Sequence, residues 1–146
     1  MQQIKYQIIP ITEDYINLLE HMRFNAHQID TNDFNPTTSF HANELRKGKY
    51  LVFGCFINNH LVGACYISKA HNSLYIEQLF IQKEYQNSTL HLGTNLLNHI
   101  LTNKHIAEKH FNTKFNYSYL DNAKNTTNFY KNLGYIESNT IMKKRL

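Results

Sequence analysis

Cysteine is scarce in this chain: Cys55 and Cys65 are the only two. Both sit inside apolar, strand-like runs. If Asn58-Asn59 is a two-residue hairpin turn, Cys55 faces Val62 and Cys65 faces Val52. The two are then not cross-strand partners, and no disulfide is expected. Proline and glycine are also few, at two and five, and no linker rich in either divides the sequence. Neither a repeat nor a low-complexity tract does so, and the 146 residues read as one domain over 1–146. No apolar run approaches the ~20 residues that span a bilayer. The opening Met1-Gln2-Gln3-Ile4-Lys5-Tyr6 lacks an apolar signal core. The expectation is a cytoplasmic protein without a membrane partner.

Histidine is plentiful, at nine, but no His-x-x-x-His pair carries a companion glutamate. His21, His27 and His41 are spread over polar segments, and His105 and His110 fall on or just after a helix end. No metal is expected. A Gly-x-Ser-x-Gly elbow and a Walker loop are both missing. The formal charge of +4 suits an anionic ligand such as a phosphate-bearing nucleotide. The one cationic cluster, Lys143-Lys144-Arg145, lies at the end of the chain and reads as a solvated tail. Nucleic acid is not an expected partner.

What is present is a packed globular sequence, 42% hydrophobic and 13% aromatic. Lys5 to Ile9 alternates as a strand that Pro10 ends. Thr12-Glu13-Asp14 opens a helix whose apolar stripe is Tyr15, Leu18, Leu19 and Met22. From Asn25 to Phe40 the chain turns polar, and Ser39 is placed to cap a short helix through Arg46. Tyr50–Ile57 and Leu61–Ile67 flank Asn58-Asn59-His60 as a hairpin. Leu74–Ile81 is the next strand. Leu92, Leu96, Leu97, Ile100 and Leu101 follow helical spacing, which predicts one helix from Leu90 to Asn103. Phe115–Leu120 is a strand, Asn122–Leu133 a helix stopped by Gly134, and Tyr135-Ile136 with Ile141-Met142 a final strand or bent pair. The order β-α-α-β-β-β-α-β-α-β implies an α/β fold with a mixed sheet, an antiparallel meander followed by crossover helices.

The most informative stretch runs from Leu74 to Leu97. It combines a buried strand, a polar turn through Gln86 to Leu92, and a helix beginning Gly93-Thr94-Asn95-Leu96-Leu97. A helix N-terminus presents unpaired N–H groups and partial positive charge, which is the layout of an anion site. This stretch resembles the central motif of the GNAT N-acetyltransferases, Arg/Gln-x-x-Gly-x-Gly/Ala followed by an apolar pair. Matching Leu92-Gly93-Thr94-Asn95-Leu96-Leu97 keeps the helix phase. It sets Ser88 at the leading position and His91 at the middle glycine, with about two extra residues after Tyr85. Starting at Gln86 keeps the leading residue but puts Thr89 and His91 at the glycines. A second segment, Phe129-Tyr130-x-x-x-Gly134-Tyr135, resembles the family's aromatic-Tyr-x-x-x-Gly-Phe/Tyr pattern. The family's asparagine falls at Ala123, so Asn122 or Asn125 would take its contact.

The resemblance implies a GNAT-like, mainly antiparallel central sheet flanked by helices, and acetyl-CoA as co-substrate. It places the pyrophosphate on Ser88, Thr89, Leu90, His91, Leu92, Gly93 and Thr94, the pantetheine arm on the backbone of Leu79, Phe80 and Ile81, and further contacts at Asn122 and Phe129. Tyr130 is the implied general acid toward the departing thiolate. Glu77 is the candidate base. Strict alternation puts it with Tyr75, Leu79 and Ile81 on one face of its strand, opposite Ile76, Gln78 and Phe80. A carboxylate among such apolar neighbours would hold its proton to higher pH. The acceptor would be a small-molecule or peptide amine, selected by the segment from Arg23 to Phe40 with Phe24, Asp30, Asp33 and Phe34. The enzyme would be a monomer or homodimer. The glycine-poor loop keeps a second reading open, a GNAT-shaped binding module that has lost catalysis.

Overall fold

The computed structural model describes residues 5–11, 15–26, 40–86, 89–122 and 126–146. In chain order the elements are β1 (Tyr6–Pro10), α1 (Ile16–Ala26), α2 (Phe40–Arg46), β2 (Tyr50–Ile57), β3 (His60–Ala70) and β4 (Ser73–Ile81). A 3-10 turn (Lys83–Tyr85), α3 (Leu92–Thr102), α4 (Lys104–Phe111), β5 (Tyr117–Asp121), α5 (Thr127–Asn132), β6 (Ile136–Ser138) and β7 (Ile141–Arg145) complete it. The strands form one sheet in the order β1-β2-β3-β4-β5-β7-β6. Every neighbouring pair is antiparallel except β4 and β5. The mixed α/β architecture expected from the sequence is the one observed.

The hairpin between β2 and β3 turns on Asn58 and Asn59, at φ 49° and 67°. Two successive left-handed residues are what a tight I′ turn demands, and asparagine tolerates that region best after glycine. The register beyond it differs from simple counting. A bulge after the Phe56↔Leu61 rung sets Cys55 opposite Gly63 and Cys65 opposite Phe53. An extra residue on one strand moves every later pair by one. Both cysteines are buried and free.

Two cores sandwich the sheet. Leu92, Leu96, Leu97 and Ile100 of α3 pack with Ala107 and Phe115 on Phe53, Cys65, Ile67, Leu74 and Ile76. Leu19 and Met22 of α1 pack on Tyr50, Val52, Tyr66 and Phe80 from the opposite side. The expected α1 stripe is corrected in part: Leu18 is 48% and Tyr15 39% exposed, while Glu20 is wholly buried and accepts a hydrogen bond from Tyr66 Oη at 3.1 Å. The helical face is set by where the sheet lies, and a single residue step turns Leu19 by about 100° from Leu18. Thr12 and Ser39 lie outside the described residues.

The helix expected from Leu90 to Asn103 is α3, and a further helix, α4, follows it that the spacing did not predict. Asn103, at φ −106° and ψ 36°, separates α3 from α4. The final strand is a bent pair, β6 and β7. Gly134, at φ 93°, follows α5 as a left-handed terminator.

Gly63 marks the closest approach of β3 to β4. A Cβ there would lie 2.9 Å from the Phe80 carbonyl oxygen and collide with the Ile81 side chain. We expect Gly63→Ala to destabilise the protein by about 1–3 kcal/mol. Urea denaturation against the parent would read the loss.

Candidate active site

The sheet opens where its single parallel pair stops. β4 and β5 share three rungs, Ser73↔Tyr117, Leu74↔Ser118 and Tyr75↔Tyr119. From Ile76 to Ile81, β4 pairs with β3 alone among the described residues. A wedge-shaped fork results, with Tyr75 and Tyr119 at its vertex. Gln82 N–H donates to the Val62 carbonyl at 2.7 Å. Peptide groups alternate sides along a strand, so those of Leu79 and Ile81 turn toward the open side. The Ile81 carbonyl accepts from Gln86 Nε2 at 2.7 Å, which folds the following turn back over the strand end.

A second bulge decides which side chains look into which half of the molecule. Tyr66 pairs with Gln78 and Ile67 with Ile76, leaving Glu77 as the extra residue. Leu74, Ile76, Leu79 and Ile81 therefore belong to the α3 core, and Phe80 to the α1 core. This corrects strict alternation, which grouped Glu77 with Leu79 and Ile81. Glu77 instead shares the α1 side with Ser68 and Tyr75, and its Oε1 accepts from Ser68 Oγ at 2.6 Å. Both residues line a cavity of about 600 Å³ that also touches Glu44, Lys49, Lys69 and His110. The neighbours of Glu77 are polar, not apolar.

On the other face, α3 points its N-terminus at the end of β4. The ladder begins with Asn95 N–H to the His91 carbonyl at 2.9 Å, which leaves the N–H groups of Leu92, Gly93 and Thr94 outside it. The His91 side chain does not cap them. The helix thus starts at Leu92, two residues after the expected Leu90, and Ser88 lies outside the described residues. His91 holds the left-handed conformation, φ 49° and ψ 48°, and Thr89 is exposed beside it. Asn95 Nδ2 secures the turn by donating to the Leu90 carbonyl at 2.9 Å. Gln86 and His91 thus each perform a backbone task, so the two ways of placing the motif describe different ends of one lengthened turn.

Helix α5 closes this face. A Cβ built on Gly93 would meet the Phe129 ring at 3.5 Å and Ile81 Cγ1 at 3.9 Å, so the ends of β4, α3 and α5 converge there. Tyr130, 7% exposed, packs edge-on against Phe129 and Tyr135 with ring centroids at 5.0 and 5.6 Å. Burial pushes its phenol well above the ordinary value, and the nearby Cys65 and Tyr135 add to that. Cys65 is the ladder partner of Leu79, which puts Tyr130 over the same rung of the sheet. Tyr135 donates or accepts at Ser118 Oγ, 2.7 Å away. For the Tyr130 hydroxyl no hydrogen-bond partner occurs among the described residues. Its proton is retained at neutral pH.

Asn122 is occupied otherwise: its Oδ1 accepts from Thr127 Oγ1 at 2.6 Å and its N–H donates to the Thr140 carbonyl at 2.7 Å. It anchors the start of α5. Ala123, Asn125 and residues 27–39, which include Asp30, Asp33 and Phe34, lie outside the described residues. One contact escaped sequence reasoning altogether. Tyr75 Oη donates to Asp121 Oδ1 across the fork, between residues 46 apart in sequence, and only the strand pairing reveals it. Among the described residues no group of three or more His, Cys, Asp or Glu converges, and no helix is long and apolar enough to cross a membrane.

The sequence profile of the acetyltransferase (GNAT) domain matches residues 23–145. No curated protein matches the chain in sequence. The structure is similar to the ribosomal-protein-S18-alanine N-acetyltransferase of Escherichia coli, with TM-score 0.73 and 14% identity over 97% of this chain and 94% of that one. It is also similar to the PaiA N-acetyltransferase of Thermoplasma acidophilum solved with coenzyme A, with TM-score 0.71 and 17% identity over 97% and 99%. Against a longer protein from Pyrococcus horikoshii the TM-score is 0.70 at 17% identity, and 94% of this chain spans only 46% of that one. At such identities the likeness is one of fold.

Two outcomes follow from this geometry. A left-handed non-glycine residue costs about 1 kcal/mol, and more when β-branched. His91→Val should lose about 1–2 kcal/mol in thermal or urea unfolding, whereas His91→Gly should lose none. Tyr130 and Tyr135 both sit well above the ordinary 10.0 through burial. The unfolded chain releases those protons first, so their stabilising effect is complete below pH 10 and declines as pH rises beyond it. Melting curves between pH 8 and 11 should show the midpoint falling only in the upper part of that range.

Proposed function

We propose, starting from the fact that this chain belongs to the GNAT acetyltransferase family, that it transfers an acetyl group from acetyl-CoA to a primary amine by direct attack. The observation that carries this reading is the α3 N-terminus, uncapped by His91, beside the end of β4, together with the buried Tyr130 hydroxyl, which has no hydrogen-bond partner among the described residues.

The residues fit the co-substrate's chemistry. Pyrophosphate oxygens need donors, and the N–H groups of Leu92, Gly93 and Thr94 have no intrahelical partner and no cap from His91. Thr89, Leu90 and His91 supply the preceding turn, and His91 already holds the left-handed backbone that a glycine would otherwise provide. Phe129 and Ile81 flank this entrance. The outward peptide groups of Leu79 and Ile81, with Phe80 between them, would hold the amide-bearing pantetheine arm as an added strand. Bound there, acetyl-CoA supplies a thioester carbon that an amine nitrogen can attack.

The protein's part is then orientation and proton movement. The Leu79 peptide group stands at the open edge where carbonyl charge would develop. As the C–N bond forms and the C–S bond breaks, Tyr130 gives its proton to the sulfur. Glu77, held by Ser68 on the far side of the sheet, takes the proton that the amine loses. The acceptor thus enters from the α1 face and the co-substrate from the α3 face. The whole is a one-domain enzyme acting as monomer or homodimer, its acceptor a small molecule or peptide.

Calorimetric titration with acetyl-CoA, beside a magnesium–ATP control, tests the first half. Micromolar affinity for acetyl-CoA alone, about −8 kcal/mol, supports the reading, and absence of binding replaces it with the partner-binding module. Tyr130→Phe should lower kcat about 100-fold with little change in acetyl-CoA affinity. In Glu77→Gln the acidic limb of the kcat/KM profile should disappear. Full turnover in the first variant, or an unchanged profile in the second, would remove that residue from the mechanism.

A further inference from the structure

At the fork's vertex the ladder ends on Tyr75↔Tyr119, and two residues later β5 ends on Asp121. Tyr119 and Asp121 share a face of β5, opposite Ser118 and Leu120, which are buried toward the α3 core. Tyr75 is on that same face, because its ladder partner Ser68 carries the hydroxyl that holds Glu77. The acceptor side of the fork thus carries two carboxylates, Glu77 on β4 and Asp121 on β5, with the Tyr75 phenol between them.

Neither carboxylate has a cationic partner among the described residues. Glu77 takes Ser68 and Asp121 takes Tyr75. The nearest ammonium along β5 is that of Lys143, and it lies 4.2 Å from the Tyr117 ring centroid and 5.6 Å from that of Tyr119. It is drawn down the strand by the aromatic faces, away from Asp121. Burial first, then the hydrogen bond to Asp121 and the charges of Asp121 and Glu77, hold the Tyr75 phenol above its ordinary range. Tyr75 is therefore a neutral donor. A neutral donor is a weaker partner for a carboxylate than a cation is.

Resting on the transferase reading above, we infer that the Tyr75–Asp121 bond is an exchangeable latch across the fork, and that Asp121 is the specificity residue that receives the acceptor's ammonium in place of the phenol. The acceptor class is then a cationic primary amine without a carboxylate of its own. An anionic group near the nitrogen would meet the like charge of Asp121, which lies outside the cavity that Lys49 and Lys69 line beside Glu77. Exchange also frees the Tyr75 ring, so the fork loses its cross-strand tie only when an acceptor has arrived.

Three probes of equal length and different charge test this on the full chain: butylamine, putrescine and 4-aminobutyrate. We expect kcat/KM for putrescine and butylamine to exceed that for 4-aminobutyrate by more than about tenfold. Asp121→Asn should raise the KM for putrescine by about tenfold or more, leave acetyl-CoA affinity unchanged, and be rescued by Asp121→Glu. Tyr75→Phe, which releases Asp121 from the phenol, should lower that KM. A purely structural bond would instead lower the melting temperature in both variants and affect all three amines alike. Calorimetry with putrescine in the presence of coenzyme A reads the same preference without turnover. Charge-blind kinetics, failure of every probe to bind, or an unmoved KM in Asp121→Asn overturns the latch while acetyl-CoA binding keeps the transferase reading. Charge-selective amine binding by a chain that does not bind acetyl-CoA would do the reverse.

Discussion

One extra residue in β4 governs the arrangement of this molecule. Glu77 has no partner on β3, and by interrupting the alternation it sends Leu79 and Ile81 to one core and the carboxylate to the other. Were the strand regular, Glu77 would point among the leucines of the α3 side and Phe80 would lose its place on Tyr66, whose ring centroid is 5.9 Å away. A bulge bends its strand and increases local twist. Here it follows directly after the last rung shared with β5, so the same residue that divides the faces also begins the divergence of the fork.

From this follows a division of labour between the two sides of the sheet. Phosphate-directed groups gather where α3 starts, since a helix can deliver several N–H groups to one point only at its first turn. Glu77 and Ser68 lie opposite, on the side against which α1 packs. Tyr130 stands between them over the Cys65–Leu79 rung. Its position comes from α5, whose start is fixed by Asn122 and whose end is closed by Gly134 and by Lys144 Nζ donating to the Leu133 carbonyl at 2.6 Å. Residues that touch no substrate thus decide where the phenol stands.

Much of this was readable from residue order. The Asn58-Asn59 turn, the α3 stripe of Leu92, Leu96, Leu97 and Ile100, and the Gly134 stop each depend on local chemistry that a short window contains. What was not readable depends on partners distant in sequence. Neither bulge leaves a mark in composition, so the facing of Glu77 and the register of Cys55 had to come from the strands beside them. Helix α4, just past the expected end at Asn103, was missed because its one buried residue, Ala107, leaves little apolar periodicity to find. Asn122 looked like a ligand contact and proved a helix anchor, since Thr127 lies close enough to claim its oxygen. Asp121 gave no sign at all. Its meaning depends on Tyr75, which the crossover through α3 and α4 brings alongside.

The three rungs that join β4 to β5 have a mechanical meaning as well. Among the described residues they are the one ladder between the antiparallel meander of β1 to β4 and the sheet of β5, β7 and β6. Few hydrogen bonds therefore need to break for the two halves to part, while the shared apolar layer beneath α3 stays closed. In amide hydrogen exchange such a seam is a line of low local protection within a well-protected sheet. Separation of the two halves there would cost fewer ladder bonds than parting β3 from β4, which share eight rungs.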